Sequence, residues 1–249
     1  MRKISLSLFI IATSAASAFG ADLPARTYTK APPPVVPVYD WSGFYLGGNA
    51  GYASSHKCFD SVGFVGAPTA PIHDNCGDAT GGFVGGQVGY RWQMASWVFG
   101  LEAQGDWASL RGSAQSTLLP AITGQAKIDG FGLFTGQVGY AWNNVLLYVK
   151  GGAAVVDDQY AGVTAAGTVA ASASETRWGG TVGAGLEYGF APNWTVGLEY
   201  DHIFLGARDL AFSGPLTPAA VPVERIHQDL DMGAVRLNYH FGGPILGKY

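Results

Sequence analysis

Nine charged side chains at strand spacing are the residues best placed to do chemistry. Arg91, Lys150, Arg177 and Arg236 fall on the same face of alternating segments as Glu102, Asp106, Glu187, Glu199 and Asp201. Successive residues of a strand point to opposite faces, so all nine share one side of a sheet. Four bases against five acids on one buried face can pair into a structural core or line a narrow polar path. The adjacent Asp201-His202 suggests acid–base work, but neighbours in a strand face opposite ways and proton transfer needs hydrogen-bond reach. With no nucleophile in phase, no catalytic residue is assigned and no enzyme is expected. His56 and His73 lie beside Cys58 and Cys76. Two histidines can ligate haem iron, yet solvated surface residues are the plainer reading, so no cofactor and no metal site is assigned. The cysteines, in a chain with an export leader, are expected to pair. Their closure of about 18 residues is worth roughly 3 kcal/mol by chain entropy.

The elements that carry these residues are strands. Positions 82, 84, 86, 88, 90 and 92 read Gly, Val, Gly, Val, Tyr and Trp, while Phe83, Gly85, Gln87, Gly89 and Arg91 stand between them. After a short break at 93–96, Trp97, Phe99, Leu101, Ala103, Gly105 and Trp107 alternate with Val98, Gly100, Glu102, Gln104 and Asp106. Period two on either side of a tight turn is a hairpin. Here the apolar face ends in an indole at both ends. Ten residues at about 3.3 Å each, tilted by roughly 40°, project to about 25 Å, the height of an outer-membrane apolar band. Indoles favour both headgroup boundaries of a bilayer.

The same design recurs along the chain. A first strand covers 44–52. Gly132 to Trp142 alternate and turn at Asn143-Asn144 into Val145 to Val155. Trp178 to Tyr188 turn at Ala191-Pro192-Asn193 into Trp194 to Tyr200, and a last strand carries Val235, Leu237, Tyr239 and Phe241 outward. Long connections are expected over about 56–79, 108–127, 157–176 and 205–228. The fold expected is all-β: an eight-stranded antiparallel transmembrane β-barrel with short periplasmic turns and four long extracellular loops. Trp92, Trp97, Trp107, Trp142, Trp178 and Trp194 form its aromatic girdle. Trp41 joins the periplasmic group, out of phase with the outward face.

Composition agrees: 48% hydrophobic, 13% charged and 37 glycines in 249 residues. No apolar run after the N-terminus reaches the 18 or so residues a spanning helix needs. Arg2-Lys3, an apolar stretch and small residues read as a signal peptide over 1–20. A Pro-rich periplasmic tail follows over 21–40, and the barrel occupies 41–249. The formal charge of −4 falls by two more when Arg2 and Lys3 are removed. No basic stripe exists, so nucleic acid is not an expected partner.

Several stretches resemble one family. Ala21-Asp22-Leu23-Pro24, Lys30-Ala31-Pro32-Pro33-Pro34, Trp41-Ser42-Gly43-Phe44-Tyr45-Leu46-Gly47-Gly48-Asn49-Ala50-Gly51-Tyr52 and Arg236-Leu237-Asn238-Tyr239-His240-Phe241-Gly242-Gly243-Pro244 are similar to the outer-membrane immunogenic proteins of Brucella, Bartonella and rhizobia, small barrels of the opacity-protein type. The resemblance implies an abundant surface barrel of the bacterial outer membrane, with roles in envelope integrity and host contact. It also implies haem binding in some members, though no haem residues carry over to this chain. His240 stands where that pattern would have Arg or Lys.

The function expected is therefore structural and surface-interactive, with a narrow porin or a haem-binding receptor as the alternative. The partners expected are outer-membrane lipid and lipopolysaccharide, the barrel-assembly machinery and host surface molecules.

Overall fold

A computed structural model describes residues 39–215 and 221–241. The signal peptide, nearly all of the Pro-rich tail and the chain beyond Phe241 lie outside the described residues.

The described chain is eight strands: β1 Gly43–Phe64, β2 Ala67–Met94, β3 Trp97–Gln115, β4 Ile122–Trp142, β5 Val145–Thr164, β6 Val169–Ala191, β7 Trp194–Ala211 and β8 Pro222–His240. Each pairs antiparallel with the next, and β8 returns to β1 through a register that sets Tyr45 opposite His240. The ring is closed. Closure leaves no strand edge unpaired, which is what permits a sheet to sit in hydrocarbon.

The inner turns are tight. Ala95 and Asn143 each take a positive φ, 56° and 54°, the left-handed geometry that two-residue hairpins require. Asn accepts it readily and Ala does not. The four long outer connections are present, but most of each is continued strand. β1 and β2 run on to a turn at Val65-Gly66, with β8 paired along β1 as far as Phe64 opposite Pro222. β2 has 28 residues, where crossing a bilayer takes about 9–11.

The reason lies in the alternation, which changes sign at the outer girdle. Within the membrane band the outward residues are apolar: Val235, Leu237 and Tyr239 on β8 are exposed, with Arg236 and Asn238 buried behind them. Further out on β8 the exposed positions become His227 and Asp229, and the buried ones Ile226, Leu230 and Met232. A barrel wall in lipid turns its apolar face out, whereas the same wall in water turns it in.

Aromatic contacts line the inner rim in short rows. Phe44, Tyr90 and Trp92 touch in sequence, as do Trp97, Tyr140 and Trp142, and Trp194, Tyr239 and Phe241. At the other edge Phe134 stacks with Trp178. Trp41 is not part of this belt. It is fully buried inside the periplasmic mouth, its indole Nε1 donating to the Asn143 carbonyl at 3.3 Å.

Candidate functional site

The interior is filled in layers, and each layer follows from which side chains the inward register supplies. At the periplasmic end Tyr39, Trp41, Val98, Ala141, Leu146 and Tyr148 form an apolar plug. His240, buried, stacks on Tyr45 with ring centres 5.5 Å apart. Its ring also meets Tyr39 and Trp41 edge-on, at 6.2 and 6.0 Å between ring centres.

Above the plug lies the main ionic layer. Arg91 on β2 reaches Glu187 on β6 with Nη2–Oε1 2.6 Å and Nη1–Oε2 2.9 Å. Its guanidinium rests over the Tyr45 ring, Cζ to ring centre 4.5 Å. Arg236 bonds both Glu102 and Glu199. Lys150 donates to Glu199 at 2.7 Å and to Glu102 at 3.4 Å, with Asp201 3.3 Å away. The Tyr45 hydroxyl donates to Glu102 at 2.7 Å and that of Tyr148 to Glu199 at 2.5 Å. Gly89 and Gly185 make room for these two rings, since a Cβ on either would collide with the tyrosine. Asp106 has no cationic partner among the described residues and accepts from Gln104 at 2.9 Å.

Thirteen buried apolar residues close the barrel next, among them Leu110, Ile128, Phe131, Ile203, Leu230 and Met232. The paired charges therefore share the interior with an apolar septum that crosses it. Its residues sit in the outward halves of the strands, where the apolar side chains turn inward.

The septum also separates Arg177 from the other eight expected charges, leaving three bases against five acids in the main layer. Arg177 belongs to an outer polar layer. It donates to Gln228 at 3.0 Å and to the Gly206 carbonyl at 3.0 Å, with Glu175 3.6 Å away. Beside it Lys57 and Asp158 pair at 2.7 Å, both buried. These two fall in segments read from sequence as loop, so their inward direction was not legible there.

The cysteines face each other across the β1–β2 ribbon and form a disulfide. His56 and His73 are exposed on either side of it, each with Nδ1 on a carboxylate: Asp78 at 2.6 Å and Asp60 at 2.9 Å. Asp201 is buried inside the barrel, while His202 lies on the outer surface against Asp231 at 2.7 Å. The wall of the barrel stands between them.

A closed ring of eight antiparallel strands with an apolar outer band is the architecture of outer-membrane barrels. A family model described as the outer membrane protein beta-barrel domain matches residues 6–220. The chain belongs to that family. It is similar to the 31 kDa outer-membrane immunogenic protein of Brucella melitensis biotype 1, 33% identical over 213 residues, 81% of this chain and 86% of that one. It is also similar to the 22 kDa outer membrane protein of Rhizobium leguminosarum bv. viciae, 33% identical over 182 residues, 71% and 70% of the two chains. Among solved structures, the outer membrane protein OprG from Pseudomonas aeruginosa matches with a TM-score of 0.51 at 10% identity, over 82% of this chain and 99% of that one. The outer membrane protease OmpT from Escherichia coli also matches at 0.51, with 9% identity, over 80% and 97%. Likeness at that identity shows the fold alone. The protein is a β-barrel of the bacterial outer membrane.

Proposed function

We propose that this member of the outer-membrane barrel family is a structural, surface-exposed protein that supports envelope integrity and presents its outer ribbons to host or environment. The observation that carries the reading is the septum between two polar layers. Each layer is crossed by hydrogen-bonded side chains from opposite walls, Arg91 to Glu187 in one and Lys57 to Asp158 in the other, and the septum between them is predominantly apolar. Water and ions have no continuous polar route through such a stack. Function then falls to what lies outside the bilayer, where ribbons from all eight strands carry the polar outward face.

Deletion of the gene, complemented by the full chain or by a chain with its ribbons trimmed to the outer girdle, separates the two parts of the proposal. Both chains are expected to restore resistance to detergent, and only the full chain to restore adhesion. A deletion strain with wild-type detergent resistance and wild-type adhesion would overturn the reading.

A further inference from the structure

The outer ribbons enclose a cavity of about 280 Å³ above the outer polar layer. Phe59, Ile122, Ala126, Tyr160 and Phe212 give it mostly apolar walls, and Lys57 lies at its floor. A pocket that is mainly apolar with a few convergent polar groups is the common form of a small-molecule site. Its small volume suits a single ring or short branched chain.

The polar groups decide the ligand's charge. Lys57 is already held by Asp158. Asp74 accepts from the Leu118 and Thr117 backbone amides at 2.9 and 2.7 Å and from the Ser116 hydroxyl at 3.1 Å, which fastens the β3–β4 turn to the pocket wall. Glu224, on the inward face of β8, also lines the cavity, and its side chain has no hydrogen bond or ion pair among the described residues. A carboxylate in such a place lacks a counter-charge. In and beneath the chamber the cations are Lys57 and Arg177, against Asp74, Asp158, Glu175 and Glu224, with Asp78 at the edge beside His56 and exposed Arg208 acting on Glu175. The chamber is short of positive charge.

We propose that this chamber binds a small amphipathic amine, its ring or branched alkyl group against Phe59, Tyr160 and Phe212 and its ammonium on the Glu224 carboxylate. Burial, with Asp74 adding to it, pushes the free Glu224 carboxyl up to about 7, as expected of an acid that lacks its cation. The septum beneath makes the site a dead end, so it binds without passing its ligand inward.

Calorimetric titration of the refolded full-length mature protein in micelles at pH 8 tests this with 2-phenylethylamine, 2-phenylethanol and 3-phenylpropionate as probes. The amine is expected to bind saturably, the alcohol about tenfold or more weaker, as for loss of a charge-assisted hydrogen bond, and the acid not at all. Glu224→Gln is expected to bring the amine to the level of the alcohol, and Ala126→Phe to remove both signals by filling the pocket. Absence of amine binding, equal affinity for amine and alcohol in the unmodified protein, or a signal that survives Ala126→Phe would each overturn the proposal. The comparison of amine with alcohol needs no variant, so it holds whether or not the variants fold.

Discussion

Arg91 and Glu187 meet across the barrel in a two-pronged ion pair, Nη2 to Oε1 at 2.6 Å and Nη1 to Oε2 at 2.9 Å, with both side chains wholly buried. They come from β2 and β6, on opposite sides of the ring, so the pair is a crossbar. Its worth lies less in attraction than in what breaking it leaves behind.

Arg91→Met should therefore cost about 3–5 kcal/mol, because Glu187 would stay buried without its partner. Arg91→Met with Glu187→Leu should recover most of that loss. Urea unfolding in lipid vesicles measures both. Equal losses in the single and double variants would mean that the pair acts through shape and not through charge.

Trp41 and Trp107 should report opposite surroundings. Trp41 is buried in the plug and Trp107 is 77% exposed on the outer girdle. In single-tryptophan variants, brominated lipid should quench Trp107 strongly and leave Trp41 nearly untouched. Strong quenching of Trp41 would put it back in the lipid-facing belt.

The Cys58–Cys76 disulfide closes a span of 18 residues at the base of a ribbon tip, outside the apolar band. Cys58→Ser with Cys76→Ser should leave the barrel's heat-modifiable gel mobility unchanged while residues 56–79 become cut faster by protease. The stabilisation that chain entropy allows such a loop, roughly 3 kcal/mol, would then be confined to the ribbon. Loss of the heat-modifiable form would show instead that the bridge supports the whole barrel.

Glu224 makes stability depend on pH with a definite sign. Its carboxyl rises from 4.5 to about 7 on folding, through burial first and Asp74 second. Below 4.5 the group is protonated in both states and has no effect. Between 4.5 and 7 the unfolded chain ionises first, so its contribution to stability falls as pH rises and levels off above 7. Glu224→Gln should thus stabilise the protein at pH 8 and leave it unchanged at pH 4, and amine affinity should fall below pH 7 until it reaches the level of the alcohol. The comparison is between each variant and its parent at one pH. Asp74, Asp78, Lys57 and Tyr160 line the same chamber and are common to both. A stability difference independent of pH would contradict the half-buried, unpartnered carboxyl.

Alternation made the membrane-spanning part of this barrel legible, because lipid on one side and a packed interior on the other leave few ambiguous positions. Arg91, Glu102, Lys150, Glu187, Glu199 and Arg236 could be placed inside from period two alone. Which acid met which base could not, since partners such as Glu102 and Arg236 are 134 residues apart in sequence. The sequence puts Trp41 at the periplasmic end, yet nothing local says that the chain folds inward before β1. The septum is not legible for another reason. At Leu110, Ile128 and Leu230 the inward face is apolar, the reverse of the membrane pattern, so those positions looked like the edges of loops. Lys57 and Asp158 were hidden by the same reversal.

The most direct test of the account is single-channel recording of the refolded protein in planar bilayers, with the insertion of folded barrels confirmed in the same preparation. The ionic layer and the septum together predict a silent baseline, and they predict silence also for Arg91→Ala with Glu102→Ala, because Phe131, Ile128, Leu230 and Met232 still close the bore. Discrete, reproducible conductance steps from the unmodified protein would contradict the sealed interior and make the inward charges the lining of a pore.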